Sequence, residues 1–169
     1  MVFAPILLTA QSDKLPIDIF EDANYYRFNE EYTEALPLYQ KLVGMGYNHE
    51  HMYYVLGRTY MHISGQKDKA IPYLHKSTKR MSEDISEGGG LLKSRAPKDA
   101  LFYLGKAYQI HNKLDSALHC YRTFLDTLQD QKSYNLDFVH KQIESAKKAQ
   151  EFINDPLPVN TTNMGETIN

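Results

Sequence analysis

Two copies of one short pattern, Leu56-Gly57-Arg58-Thr59-Tyr60 and Leu104-Gly105-Lys106-Ala107-Tyr108, restrict this chain more than any other feature. Each is followed by an alanine and, four residues on, by a large apolar residue: Ala70 and Leu74 after the first, Ala117 and Tyr121 after the second. A looser copy precedes both, with Ala23, Tyr26, Ala35 and Tyr39. Small residues at set positions let two antiparallel helices approach, and the aromatics fill the space between them. Three copies in register predict an all-α chain of repeated helix pairs, each needing its neighbour to bury its apolar face.

The 169 residues suit one domain or a short repeat array, with enough chain to bury a core. Nineteen basic residues stand against 21 acidic ones, so the net charge of -2 provides no general attraction for a phosphate backbone or an anionic membrane. Nucleic acid is therefore not an expected partner. Cys120 is the single cysteine, which excludes an internal disulfide and a cysteine-based zinc cluster.

Met1 to Ala10, MVFAPILLTA, is apolar and ends in a small residue before polar sequence. It has the hydrophobic and cleavage regions of a secretory signal without the basic leader, which predicts a signal-peptide remnant (1-10) cut near Ala10-Gln11; the alternative is a packed or disordered apolar start. It is too short to span a bilayer, so no direct membrane insertion is expected. The first repeat (16-49) should place a helix over Ile17 to Asn29 and a second over Ala35 to Val43, capped by Thr33 and ended by Gly44 and Gly46. The second (50-84) should be capped by Asp68 and the third (98-131) by Asp115, with Pro97 as the first helical residue of the third. Gly57 and Gly105 are 48 apart where a repeat of about 34 is expected, so 85-97 is read as an insertion. Its glycine run, Gly88 to Gly90, predicts a loop, and Leu91 and Leu92 suggest that it folds back onto the helices. Leu136, Val139, Ile143, Ala146, Ala149 and Ile153 mark a capping helix over 135-153, followed by an extended linker over 154-169.

The repeated L-G-x2-Y and A-x3-F positions resemble the tetratricopeptide repeat (TPR), implying a superhelix of three helix pairs with a C-terminal capping helix. KAIPYL from Lys69, RAPKDALFYLGKAY from Arg95, QIESAKKAQEFINDPLPV from Gln142 and NMGETIN from Asn163 resemble the N-terminal region of OmpA-family envelope proteins. In that family a signal peptide and TPRs precede a TolB-like β-propeller and an OmpA-type peptidoglycan-binding domain, with relatives in type IX secretion and gliding. The resemblance implies a periplasmic interaction scaffold associated with the outer membrane, whose linker leads towards a propeller not contained in these residues. Partners would be protein or peptide segments of the envelope or of downstream domains. A cytoplasmic TPR adaptor and, more remotely, an enzyme domain on a helical scaffold are the competing readings.

Inner helices of such repeats line a groove. The resemblance assigns to it Asn24, Arg27 and Phe28; Tyr54, Arg58, Met61 and His62; and Phe102, Lys106, Gln109 and Ile110. Mixed cationic and aromatic side chains there suit an extended acidic or carbonyl-rich segment, with Arg58 and Lys106 expected free of internal carboxylates apart from Asp99 at the edge. The insertion or the last helix filling the groove is the alternative. Phe20, Asp99 and Tyr103 stand where the chaperone-binding repeats carry their carboxylate clamp, so that clamp is not expected. His49-Glu50-His51 has the wrong spacing to share a metal from one helix face and reads as a solvated helix start. Ser116, His119 and Cys120 diverge around a helix and lack an orienting residue or oxyanion donor, so neither catalysis nor a cofactor is expected.

Overall fold

The computed structural model describes residues 14–83, 90–128 and 134–156. They form seven α-helices: α1 (Pro16–Phe28), α2 (Tyr32–Gly44), α3 (Glu50–His62), α4 (Ala70–Ser77), α5 (Ala100–Ile110), α6 (Leu114–Thr127) and α7 (Leu136–Asn154). A 3-10 turn over Lys67–Lys69 leads into α4, and two-residue strands β1 (Met81–Ser82) and β2 (Ala96–Pro97) pair in parallel. Successive helices pack as pairs, α1 with α2, α3 with α4 and α5 with α6, while α7 lies against α6. Residues 1–10, with the expected cleavage site, fall outside the described residues, as does most of the linker.

The repeated small residues do what their spacing predicts. Ala35, Ala70 and Ala117 are fully buried, and so are Tyr39, Leu74 and Tyr121 four residues on. A Cβ on Gly57 would stand 2.5 Å from Leu74 Cγ, and one on Gly105 would stand 2.6 Å from Tyr121 Cε1. Glycine is thus required by the closeness of each pair. The three turns within the pairs share a second feature that the sequence pattern did not disclose. Glu30 (φ 62°), Gly65 (φ 72°) and Asn112 (φ 54°) lie five residues before Ala35, Ala70 and Ala117, so each pair reverses through one left-handed residue.

The expected caps are not caps. Helix α2 begins at Tyr32, and Thr33 inside it donates its hydroxyl to Glu34 instead of accepting backbone N–H groups. Asp68 lies in the 3-10 turn, and Asp115 in the first turn of α6 makes no side-chain capping bond. These residues favour the positive ends of their helices by charge or polarity without satisfying an N–H group. Because α2 starts early, Pro37 sits past its first turn and removes one internal bond. Pro97 belongs to β2 and not to α5, because the insertion returns alongside α4's exit before the third pair begins. The capping helix falls where the stripe put it, with Asn135 accepting from Phe138 N at 3.0 Å. Its last stripe residue, Ile153, is exposed beyond the contact.

The insertion divides its apolar pair. Leu91 is buried among the core residues, a contribution of about 1.5–3 kcal/mol, whereas Leu92 is 84% exposed. His49 forms the anchor: its Nδ1 accepts from Met52 N at 3.4 Å while Nε2 lies 3.0 Å from the Leu91 carbonyl. The tautomer with hydrogen on Nε2 satisfies both contacts. The backbone of His51 donates to the Ser94 carbonyl, and the His51 ring is fully buried. This helix start is therefore packed against the insertion and not solvated.

Candidate functional site

The first helices of the pairs, α1, α3 and α5, carry the expected groove residues, and the structure sorts these into tethered and available side chains. In the first pair Tyr39 donates to Asn24 Oδ1 at 2.7 Å, and Arg27 Nε donates to the same hydroxyl at 3.2 Å. Arg27 is buried, with its guanidinium 4.4 Å from the Phe28 ring centre. Asn24 and Arg27 thus fasten α1 to α2, and exposed Phe28 is the residue of this trio left facing outward. Gln109 repeats the device in the third pair: Tyr121 donates to its Oε1 at 2.7 Å. Its amide also donates to Ser145 of α7 at 3.2 Å, while Ile110 is exposed.

The middle of the face holds a network that departs from the expected free cations. Tyr54, 1% exposed, donates to Asp99 Oδ2 at 2.9 Å. Arg58 Nη1 donates to the Tyr54 oxygen at 3.0 Å, and its guanidinium lies 4.4 Å from the Tyr103 ring centre. Burial and the Asp99 charge hold the Tyr54 phenol far above its ordinary range, so it stays a donor. Arg58 is consequently a structural cation, seated on two tyrosines, one of which is bonded to the Asp99 carboxylate. In the sequence Asp99 and Tyr103 stand out as departures from a clamp, and Asp99 as the carboxylate at the groove's edge; in the fold they are the seat of this cation.

Lys106 behaves differently. It is half-buried, with Nζ 6.0 Å from the Phe102 ring centre, and no hydrogen bond or ion pair holds it among the described residues. Burial, then the charges of Arg58 and Lys67, push its ammonium below the usual lysine range. His62, one turn beyond Arg58 on α3, stacks on Tyr32 at 4.2 Å. Partial burial, Arg58 and Lys106 lower its pKa as well. Met61 is partly buried beside the core. Lys106, Arg58, His62 and Lys67 therefore share a region of positive potential, where Arg58 is hydrogen-bonded to Tyr54 and Lys106 has no such bond among the described residues.

Phe102 is 8% exposed and belongs to an aromatic cluster with Tyr121, Phe124 and, from α7, Phe138 at 5.8 Å. The last helix thus packs against the third-pair end of the face. The insertion packs instead at the start of α3. Cys120 is buried and its thiol is pushed up to about 11. No group of three or more His, Cys, Asp or Glu is placed to hold a metal among the described residues, and no described helix is long and apolar enough to cross a membrane.

No family model matches the chain, and no curated protein sequence does. Among solved structures it is similar to the TPR domain of Sgt2 from Aspergillus fumigatus, with a TM-score of 0.60 at 18% identity over 89% of each chain. The MamA protein aligns at 21% identity and a TM-score of 0.35, over 86% of this chain and 98% of the other. The paired helices, the close contacts at Gly57 and Gly105 and the likeness to the Sgt2 domain together establish the fold: this chain is an all-α tetratricopeptide-repeat superhelix.

Proposed function

We propose that this chain is a non-enzymatic interaction scaffold whose inner face binds an extended acidic segment of another protein or of a further domain. One observation carries the reading: Lys106 is half-buried and charged, with its charge disfavoured by burial, Arg58 and Lys67 and no anion beside it among the described residues. A carboxylate placed there offsets that repulsion with a charge-assisted hydrogen bond. Phe28, His62 and Ile110 supply exposed apolar and aromatic surface along the same face.

Acidic peptides should bind more tightly than their amide counterparts. Lys106→Gln should weaken them about 5- to 150-fold, the equivalent of roughly 1–3 kcal/mol for a partly desolvated charge contact. Equal binding of acidic and amide peptides, or indifference to Lys106→Gln, refutes the reading. Arg58→Ala is unsuitable for this test, because it removes a support from Tyr54 and Tyr103.

For cellular placement, the resemblance of KAIPYL, RAPKDALFYLGKAY and the 142–159 stretch to OmpA-family N-terminal regions supports the periplasmic side of the outer membrane, with type IX secretion or gliding as the setting. Fractionation of the native host tests this: recovery only from the cytosol would favour the adaptor reading.

A further inference from the structure

Beyond Lys106, where α5 and α7 begin and α6 ends, lies a cavity of about 200 Å³. Its lining brings together Phe102, Tyr103, Phe124, Tyr134 and Phe138 with the carboxylate of Asp99. The rings do not form one parallel stack. Tyr134 meets Phe124 edge-on at 5.2 Å and 90°, while Tyr103 and Phe138 lie 5.6 and 5.8 Å from Phe102 at 77° and 51°. Five aromatic residues lining one open cavity at several mutual angles supply the quadrupolar surface to which an organic cation is attracted.

Two carboxylates act on the Tyr134 side of the cavity, each of them already engaged with a neighbour. Asp99 accepts from Tyr54, and Glu83 pairs with Lys98 nearby. The Tyr134 hydroxyl is buried with no hydrogen-bond partner, and burial, Asp99 and Glu83 together push it up to about 12. A buried hydroxyl oxygen without a donor is an acceptor left over. Arg58 contributes positive charge on the α3 side, where it lies over Tyr103. The helix ends oppose one another, two starts against one finish, which limits their effect on the cavity.

We propose that this aromatic cavity takes the cationic head of a Lys or Arg side chain from the same partner segment whose acidic group pairs with Lys106. The inference rests on the function proposed above for the inner face. It also sets a register. Asp99 and Lys106 are seven residues apart at the start and middle of α5, about 10 Å at the helical rise. A chain in the extended polyproline II conformation covers that distance in about three residues and brings the third side chain back to the same side. The partner motif is therefore an acidic and a basic residue about three positions apart.

Two titrations test the cavity and the register separately. In the first, n-butylammonium is added to the full chain and aromatic side-chain resonances are followed, with n-butanol as the neutral match. Saturable shifts with the ammonium and none with the alcohol are expected, weakened several-fold by Phe138→Leu and by Asp99→Asn and unchanged by Lys106→Gln. Phe138 is 44% exposed, so Phe138→Leu keeps the test valid should Asp99→Asn disturb the Tyr54 contact. Equal response to the alcohol, or indifference to Phe138→Leu, overturns the cavity assignment.

In the second titration, peptides with Glu and Arg three positions apart, in both orders, are compared with peptides carrying citrulline for Arg. The arginine peptide of one order should bind several-fold tighter, and Phe138→Leu should abolish the difference. No difference overturns the partner register. Failure of the acidic residue alone to depend on Lys106 refutes the earlier reading and leaves the butylammonium result standing.

Discussion

Replacing Gly105 by alanine sets two effects of known sign against each other. Alanine is the better helix former by about 1 kcal/mol, so on an open helix surface the substitution stabilises. At Gly105 the added methyl would meet Tyr121 Cε1 at 2.6 Å and Cδ1 at 2.7 Å. Those are atoms of a fully buried ring, 5.6 Å from Phe102 and hydrogen-bonded through its hydroxyl to Gln109. The ring has no free end to move. It must turn and strain the Gln109 bond, or α5 and α6 must separate. Overpacking of this kind costs about 1–3 kcal/mol, and weakening the hydrogen bond adds about 1 kcal/mol. The net loss is therefore about 1–3 kcal/mol, or roughly 0.5–1.5 M in the urea midpoint for a slope near 2 kcal/mol per molar.

Gly44 supplies the control. It ends α2, and a methyl added there would have nothing within 4 Å, so Gly44→Ala should raise the midpoint. Gly105→Leu should be worse than Gly105→Ala. Pairing Gly105→Ala with Tyr121→Leu should cost less than the two changes summed, by about 1 kcal/mol, because the shorter side chain vacates the clash. Unfolding followed by far-UV circular dichroism measures all of these. A higher midpoint for Gly105→Ala, matching Gly44→Ala, would show that α5 and α6 are not in close contact there.

Lys106→Met should raise the denaturation midpoint at neutral pH, because burial disfavours the charge, while abolishing any preference for acidic peptides. The lowered lysine pKa also means that the native state releases its proton first, so stability relative to Lys106→Met should recover as pH rises from the folded pKa towards the ordinary lysine value. Glu50 is held below its ordinary range chiefly by its hydrogen bonds to Arg80 at 2.8 and 2.9 Å. That contribution is present above the unfolded glutamate pKa and lost as pH falls through the lower folded one, so Glu50→Gln should flatten the acid limb of a midpoint-versus-pH curve. At the left-handed turn residues, Asn112→Ala should cost about 1 kcal/mol, since alanine tolerates that conformation poorly; Glu30→Gly should be neutral or mildly stabilising, and a marked loss would contradict the φ assigned to Glu30.

The apolar register was legible because each of its rules acts over a few residues. Gly57, Ala70 and Leu74, like Gly105, Ala117 and Tyr121, belong to single helix pairs, and the identity of the small residue states how closely the backbones approach. Helix starts were less legible. A Ser, Thr or Asp near a helix start satisfies the capping pattern wherever it falls, but the left-handed residues Glu30 and Asn112 begin the next helix before Thr33 or Asp115 can serve. Asparagine at 112 carried a signal for that conformation; glutamate at 30 carried none.

Polar occupancy was the least legible, for a reason that bears on the site itself. The pattern placed Arg58 and Lys106 at matching positions in successive repeats, and their matching positions suggested matching roles. Their difference arises from Asp99, which reaches Arg58's neighbour Tyr54 across 45 residues of sequence. Those residues include the insertion, whose Ala96 and Pro97 pair with Met81 and Ser82 and so fix where α5 can begin. Asp99 follows two residues after that pairing. The insertion thus does more than break a repeat: by fixing the start of the third pair, it places one carboxylate by the network of one groove cation. It leaves the equivalent cation a repeat later without such a neighbour, and the availability of Lys106 follows from the placement of Asp99.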